Sequence, residues 1–183
     1  SATDVKLTET NNQLTITEKS LTEFTFINHL SEFQTMNVKT NAGDFVKLIV
    51  SGYGENALKG NAELPVLEEL INIPLGSEVS VKIINKEEKI ISLSDYGITN
   101  AIFPSQPSIS KSEDANNVPF YYNEDYYANN RFNTHKLITT EYLGKMRGQQ
   151  LARISVAPFQ YNPVTNELKV VTKMEVKVVF KNT

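Results

Sequence analysis

Strict alternation near the end of the chain restricts the fold more than any other feature. Met174, Val176, Val178 and Phe180 fall on one side, and Glu175 and Lys177 on the other. A period of two is the signature of a strand with one buried face. The same pattern recurs upstream. Leu14 and Ile16 sit among Thr15 and Thr17, Phe24 and Phe26 repeat it, and Met36 and Val38 repeat it again. Asn41-Ala42-Gly43-Asp44 is a turn leading into FVKLIVSGY. Short strands at about ten-residue spacing, divided by turn residues, predict an all-β, mainly antiparallel fold. The expected form is a β-sandwich or curved sheet pair with little helix. Val79 to Leu93 reads as a hairpin. Val79, Val81 and Ile83 lead out, the polar NKEEK run reverses the chain, and Ile91 and Leu93 return.

The middle of the chain is less regular. SGYGENALKGNAE has loop composition, and its glycines do not form a GxGxxG nucleotide motif. LPVLEELINIPLG reads as an extended entry and a strand through Ile73, closed by a turn at Pro74 to Ser77. From Phe103 to Pro119 alternation stops, and prolines and serines predict an extended surface arm. PFYYNEDYYANNRF, residues 119–132, comes next. Two readings of its rings stay open. They pack against the scaffold, as half-buried tyrosines commonly do. Or Phe120, Tyr122, Tyr126 and Tyr127 are footings for a presented loop whose tip is Asn129, Asn130, Arg131 and Phe132. An exposed Arg at a polar tip suits an acidic pocket on a partner. Beyond it, Leu151 to Val156 reads as a strand, and KMRGQQ and PFQYNP as turns.

A chain of 183 residues with 40% hydrophobic content has enough material for one domain over 1–183. A net charge of −3 argues against a nucleic-acid surface. No apolar run approaches the ~18 residues of a membrane span. The polar opening SATDVKLTET does not read as a signal peptide, although a trimmed secreted chain would look the same.

There is no cysteine, which removes disulfides, thiolate metal sites and Cys nucleophiles. His29 and His135 lack zinc-site spacing. No GxSxG or nucleophile–base pair is present. Glu68-Glu69 and Glu87-Glu88 are adjacent, so on strands they point to opposite faces. No catalytic residue and no cofactor are expected. Asp114, Asn116, Asn117, Asn123, Glu124 and Asp125 offer oxygen ligands that Ca2+ could use, but their spacing is not that of an EF-hand loop. Solvated loop polarity is the simpler account.

Four segments together carry a resemblance. They are GNAELPVLEELINIPLGSEVSV, IFPSQPSISKSEDANNVPFYYN, YLGKMRGQQLARISVAPFQYNPVTNELKV and the closing EVKVVF. From about Gly52 to Phe180 the chain resembles the N-terminal propeptides of gingipain-type cysteine peptidases of family C25, the lysine-specific branch most closely. The resemblance implies a non-catalytic prodomain. It would keep a cognate secreted or envelope-located bacterial peptidase latent, and assist its folding. The family places a basic residue of a surface loop in the specificity pocket. Aligned on Val118 to Asn123 and Tyr127-Ala128, the relative's latency lysine falls on Asn130, and Arg131 is one residue later. The other reading is a carbohydrate- or protein-binding, adhesin-like module with Tyr121, Tyr122, Tyr126 and Tyr127 as stacking faces.

Overall fold

The computed structural model describes residues 2–114 and 117–182. The chain adopts the antiparallel β class that its alternation implies, with its strands divided among three sheets. The first sheet holds β1 (Ala2–Lys6), β4 (Glu32–Thr40) and β5 (Gly43–Ile49) in the order β1-β4-β5. The second is built on β11 (Glu167–Asn182), which pairs with β3 (Glu23–His29) and β10 (Phe159–Asn162) on one side. β2 (Gln13–Lys19) extends it beyond β3. On its other side β11 pairs with β7 (Ser77–Ser92). The third sheet has the order β6-β9-β8, from β6 (Leu67–Ile73), β9 (Gln149–Val156) and β8 (Ile138–Met146).

β7 overturns the expected hairpin. The chain does not reverse at NKEEK. It runs straight through, with Asn85 opposite Glu175, Lys86 opposite Met174 and Glu87 opposite Lys173. Polar residues look like a turn in sequence, yet an edge strand exposed along this stretch tolerates them. β11 supplies an equally long partner, so no reversal is needed to satisfy the backbone. Register shifts at Val171/Lys173 and Glu175/Val176 mark bulges, which bend the ribbon. True hairpins lie elsewhere. β8 and β9 are joined by Arg147 (φ 53) and Gly148 (φ 77), the left-handed pair that a type I′ turn requires.

Three further expectations change. Phe159 to Asn162, expected as a turn, is the strand β10, with Phe159 and Tyr161 fully buried. Phe103, Pro104 and Ser105 are buried rather than on a surface arm, because Val46 and Ala62 bridge to Ile102 and Pro104. The exposed arm therefore begins beyond Ser105. Glu124–Tyr127 forms one helical turn, α1, which sequence periodicity did not announce.

The strands enclose two apolar clusters, and β11 contributes to both. Leu168 and Val170 join Leu30, Phe33, Ile102 and Phe159. Val171, Met174, Val176 and Val178 join Phe26, Ile154 and Val156 beneath the third sheet. Phe33 meets Phe159 edge-on at 5.4 Å. Phe159→Ala leaves a ring-sized void in the first cluster and is expected to cost about 3–5 kcal/mol of unfolding free energy, read from urea denaturation.

The first cluster also holds two phenols. The Tyr127 hydroxyl donates to the Ile102 carbonyl at 2.6 Å. The Tyr161 hydroxyl accepts from the Ile102 amide at 3.2 Å and donates to Asn166 Oδ1 at 2.6 Å. Burial raises the pKa of both, and neighbouring phenols raise them further. In the unfolded chain each loses its proton at about 10, while the native chain retains it. Above that pH the native state binds more protons, so stability falls as pH rises. Each retained proton is expected to steepen the loss by about 1.4 kcal/mol per pH unit. Tyr127→Phe should make the decline shallower in urea midpoints measured from pH 9 to 12.

Candidate functional site

The aromatic segment is fastened before its loop begins. The Gln106 side-chain amide donates to the Tyr121 carbonyl at 2.7 Å and accepts from the Tyr121 amide at 2.9 Å. One residue-pair of strand-like bonding is thus made by a side chain. The Asn123 amide donates to the Gly60 carbonyl at 3.0 Å. Gly60 has φ +92, and a Cβ there would stand 3.0 Å from the Asn123 nitrogen, so only glycine fits this crossing. Asn123 also starts α1. Its Oδ1 accepts from the Tyr126 amide at 3.1 Å, while its Nδ2 donates to Asn61 Oδ1 at 2.9 Å.

The rings stack on the scaffold and on one another. Phe120 lies against Phe45 at 5.7 Å and Phe103 at 6.2 Å. Tyr122 stacks on Tyr127 at 4.5 Å, and Tyr126 meets Tyr127 edge-on at 5.1 Å. Tyr127 is buried, so it offers no free face to a sugar. Tyr121 and Tyr122 stay partly exposed, at 45% and 44%.

Residues 128–132 lie between two anchors. On one side the Ala128 amide donates to the Glu124 carbonyl at 3.0 Å and the Asn129 amide to the Tyr126 carbonyl at 3.3 Å. On the other, Asn133 is held beside β10. Its amide donates to the Tyr161 carbonyl at 3.2 Å, its Oδ1 accepts from the Tyr161 amide at 2.9 Å, and its Nδ2 donates to the Tyr126 hydroxyl at 3.0 Å. Gln160 Nε2 donates to its carbonyl at 2.7 Å. Phe132 is half-buried, with Lys169 Nζ 4.9 Å from its ring centroid.

Within the loop, Asn129, Asn130 and Arg131 are exposed. Their side chains are not equivalent. Asn130 Oδ1 accepts from the buried Asn162 Nδ2 at 3.0 Å. Arg131 is held through its backbone, its amide donating to the Asn129 carbonyl at 2.9 Å. Its guanidinium has no partner among the described residues. Arg131 and Phe132 border a groove of about 390 Å³ whose apolar floor includes Leu64, Pro65 and Phe159. The arrangement offers a partner one unpaired cation beside an apolar cleft.

Two of the six oxygen-bearing residues have identified roles of their own. Asn123 is engaged as a helix cap, and Asn117 donates to Asp114 through its amide at 2.9 Å and Nδ2 at 3.5 Å. Asn116 lies outside the described residues. Among the described residues no three His, Cys, Asp or Glu gather as a metal-holding group. Gly60, Gln106, Asn133 and Asn162 are the supports that sequence reading missed. Their partners stand far away in sequence, and no local pattern marks them.

The Propeptide_C25 family model matches residues 4–183. Lys-gingipain of Porphyromonas gingivalis is 34% identical over 177 residues, which are 97% of this chain and 10% of that protein. Gingipain R1 of the same organism is 30% identical over 123 residues, 66% of this chain and 11% of the relative. The chain thus spans about a tenth of the length of these curated relatives. A solved structure described as structural insight into zymogenic latency of gingipain K from P. gingivalis superposes with a TM-score of 0.94 and 33% identity, covering both chains completely. A complex of the P. gingivalis RgpB pro- and mature domains contains a chain that shares the fold, at a TM-score of 0.77 and 21% identity, covering 94% of this chain and 86% of that one. The likeness reaches well upstream of Gly52, where the segment resemblance began. The chain belongs to the Propeptide_C25 family and is a propeptide domain, not a catalytic one.

Proposed function

We propose that this chain keeps a gingipain-type cysteine peptidase latent, and that the loop Asn129–Phe132 makes the inhibitory contact. Arg131 enters the specificity pocket, and Phe120, Tyr122, Tyr126 and Tyr127 hold the loop in place. The observation that carries this reading is the contrast within the loop. Asn130 spends its side-chain oxygen on Asn162, while the Arg131 guanidinium is exposed and unpaired among the described residues. An acidic pocket would take that guanidinium bidentately. The loop is fixed at both ends, so little ordering cost remains on binding. The same docking would template folding of the peptidase domain, in the bacterial envelope or outside the cell. Neither metal nor cofactor takes part.

The gingipain K structure is described in terms of zymogenic latency, and the present chain shares its fold throughout. Truncating one partner of a buried charge pair costs about 2–5 kcal/mol. Arg131→Ala should therefore weaken inhibition of the cognate peptidase by about thirtyfold or more, at about 1.4 kcal/mol per decade. Asn130→Ala should cost only about 0.5–1.5 kcal/mol, the worth of a neutral hydrogen bond. The measurement is the inhibition constant of each variant added in trans to the isolated peptidase domain. If Asn130→Ala abolishes inhibition and Arg131→Ala does not, the pocket takes the amide. If both variants inhibit as the parent does, the loop is not the contact.

A further inference from the structure

β7 is paired with β11 on one side and, among the described residues, with no strand on the other. Alternate N–H and C=O groups of an antiparallel strand point away from its partner, so this edge can template another strand. Its two halves are protected differently. From Ile84 onward a bulge interrupts the register and Lys86, Glu87, Glu88 and Lys89 crowd the strand. Bulges and charges are the usual devices that keep edges unpaired. Ser77 to Ile83 has no bulge and only two charges, Glu78 and Lys82, set apart rather than in a run. It runs in unbroken register with Asn182 to Val176.

This regular segment is complementary to itself. About a two-fold axis at Ser80, a second copy running antiparallel would set Glu78 opposite Lys82 and Val79 opposite Val81. Glu78, Ser80 and Lys82 are exposed, while Val79, Val81 and Ile83 are half-buried on the other face. The charges would meet on the outer face and the valines on the inner one. Glu78 lies opposite Lys181 on β11. Lys82 lies opposite Lys177, whose own partner is Glu23 at 3.5 Å. Neither Glu78 nor Lys82 makes an ion pair among the described residues. Like charges directly opposed are unfavourable, and Glu78 of a second copy supplies the missing anion. Beside Ser77 and Val79 a groove of about 430 Å³ opens toward Tyr142 and Gln150. Gln150 is buried, and its Oε1 has no hydrogen-bond partner. Val81 and Ile83 of the second copy arrive at the mouth of this groove.

We infer that the partner of this edge is a second copy of this chain, joined through residues 77–83 of β7 as a two-fold, continuous sheet. The inference stands apart from the inhibitory loop and does not depend on it. Sedimentation velocity over a concentration series should show a monomer–dimer equilibrium. Glu78→Lys and Lys82→Glu each turn two symmetric attractions into repulsions, and each should weaken the dimer about tenfold or more. Carrying both changes on one chain restores opposite charges, so the double variant should dimerise as the parent does. Far-UV circular dichroism checks that the variants fold. If a single variant fails to fold, hydrogen exchange on the parent replaces it, and protection of outward amides in 77–83 should grow with concentration. A monomer at every concentration overturns the inference. So does a dimer indifferent to both single changes, a double variant that stays weak, or exchange at 77–83 that ignores concentration.

Discussion

Everything else in this fold leans on the antiparallel pairing of β7 with β11. The ribbon runs from Ser77 opposite Asn182 to Ser92 opposite Glu167. Backbone pairing along its length leaves β11 free to present its side chains to both apolar clusters. It could not do so as a short strand. The bulges redirect the ribbon between the clusters, so one element closes two cores that the three sheets would otherwise keep apart. β3 and β10 then share the opposite edge of β11, one above the other. This places β10 where Tyr161 can hold Asn133.

The loop inherits its position from that chain of contacts. Tyr161 joins the Ile102 amide, Asn166 and the Asn133 backbone, and it is fully buried. Tyr127 meets the same residue, Ile102, from the opposite direction. Two buried phenols converge on one residue and fix both stems of residues 128–132. Buried polar groups of this kind are stabilising only when fully bonded. Here each hydroxyl is bonded, which suits a segment whose backbone must stay exposed and still keep one shape.

How much of this was readable depended on where the information lay. β3 and β11 were legible because one face of each is buried and the alternation shows it. In β4 the expected face, Met36 and Val38, is the wrong one, since Phe33 and Thr35 are buried and Met36 is exposed. β7 was misread where both its faces meet solvent, since an exposed edge strand and a turn can share the composition NKEEK. β10 was hidden for the opposite reason. Pro158 and Pro163 bracket four residues that look like punctuation but are buried. β1 offers only Val5 to a core, and that gave no period to detect. At the site, the exposed tip and its rings could be named from local composition. The division of labour between Asn130 and Arg131 could not, because it rests on Asn162, thirty-two residues away. The burial of Phe103 to Ser105 was concealed in the same way, since Ala62 and the Gly60 loop approach them from far upstream.

The clasp between Gln106 and Tyr121 closes the base of the segment it encloses, just ahead of the tyrosine stack. Its bonds join the two ends of the Pro- and Ser-rich excursion at its base. Closing a flexible loop costs only about 0.6 kcal/mol more for each doubling of its length. The excursion is consequently a place where the chain tolerates insertion, deletion or a broken peptide bond without disturbing the tyrosine stack.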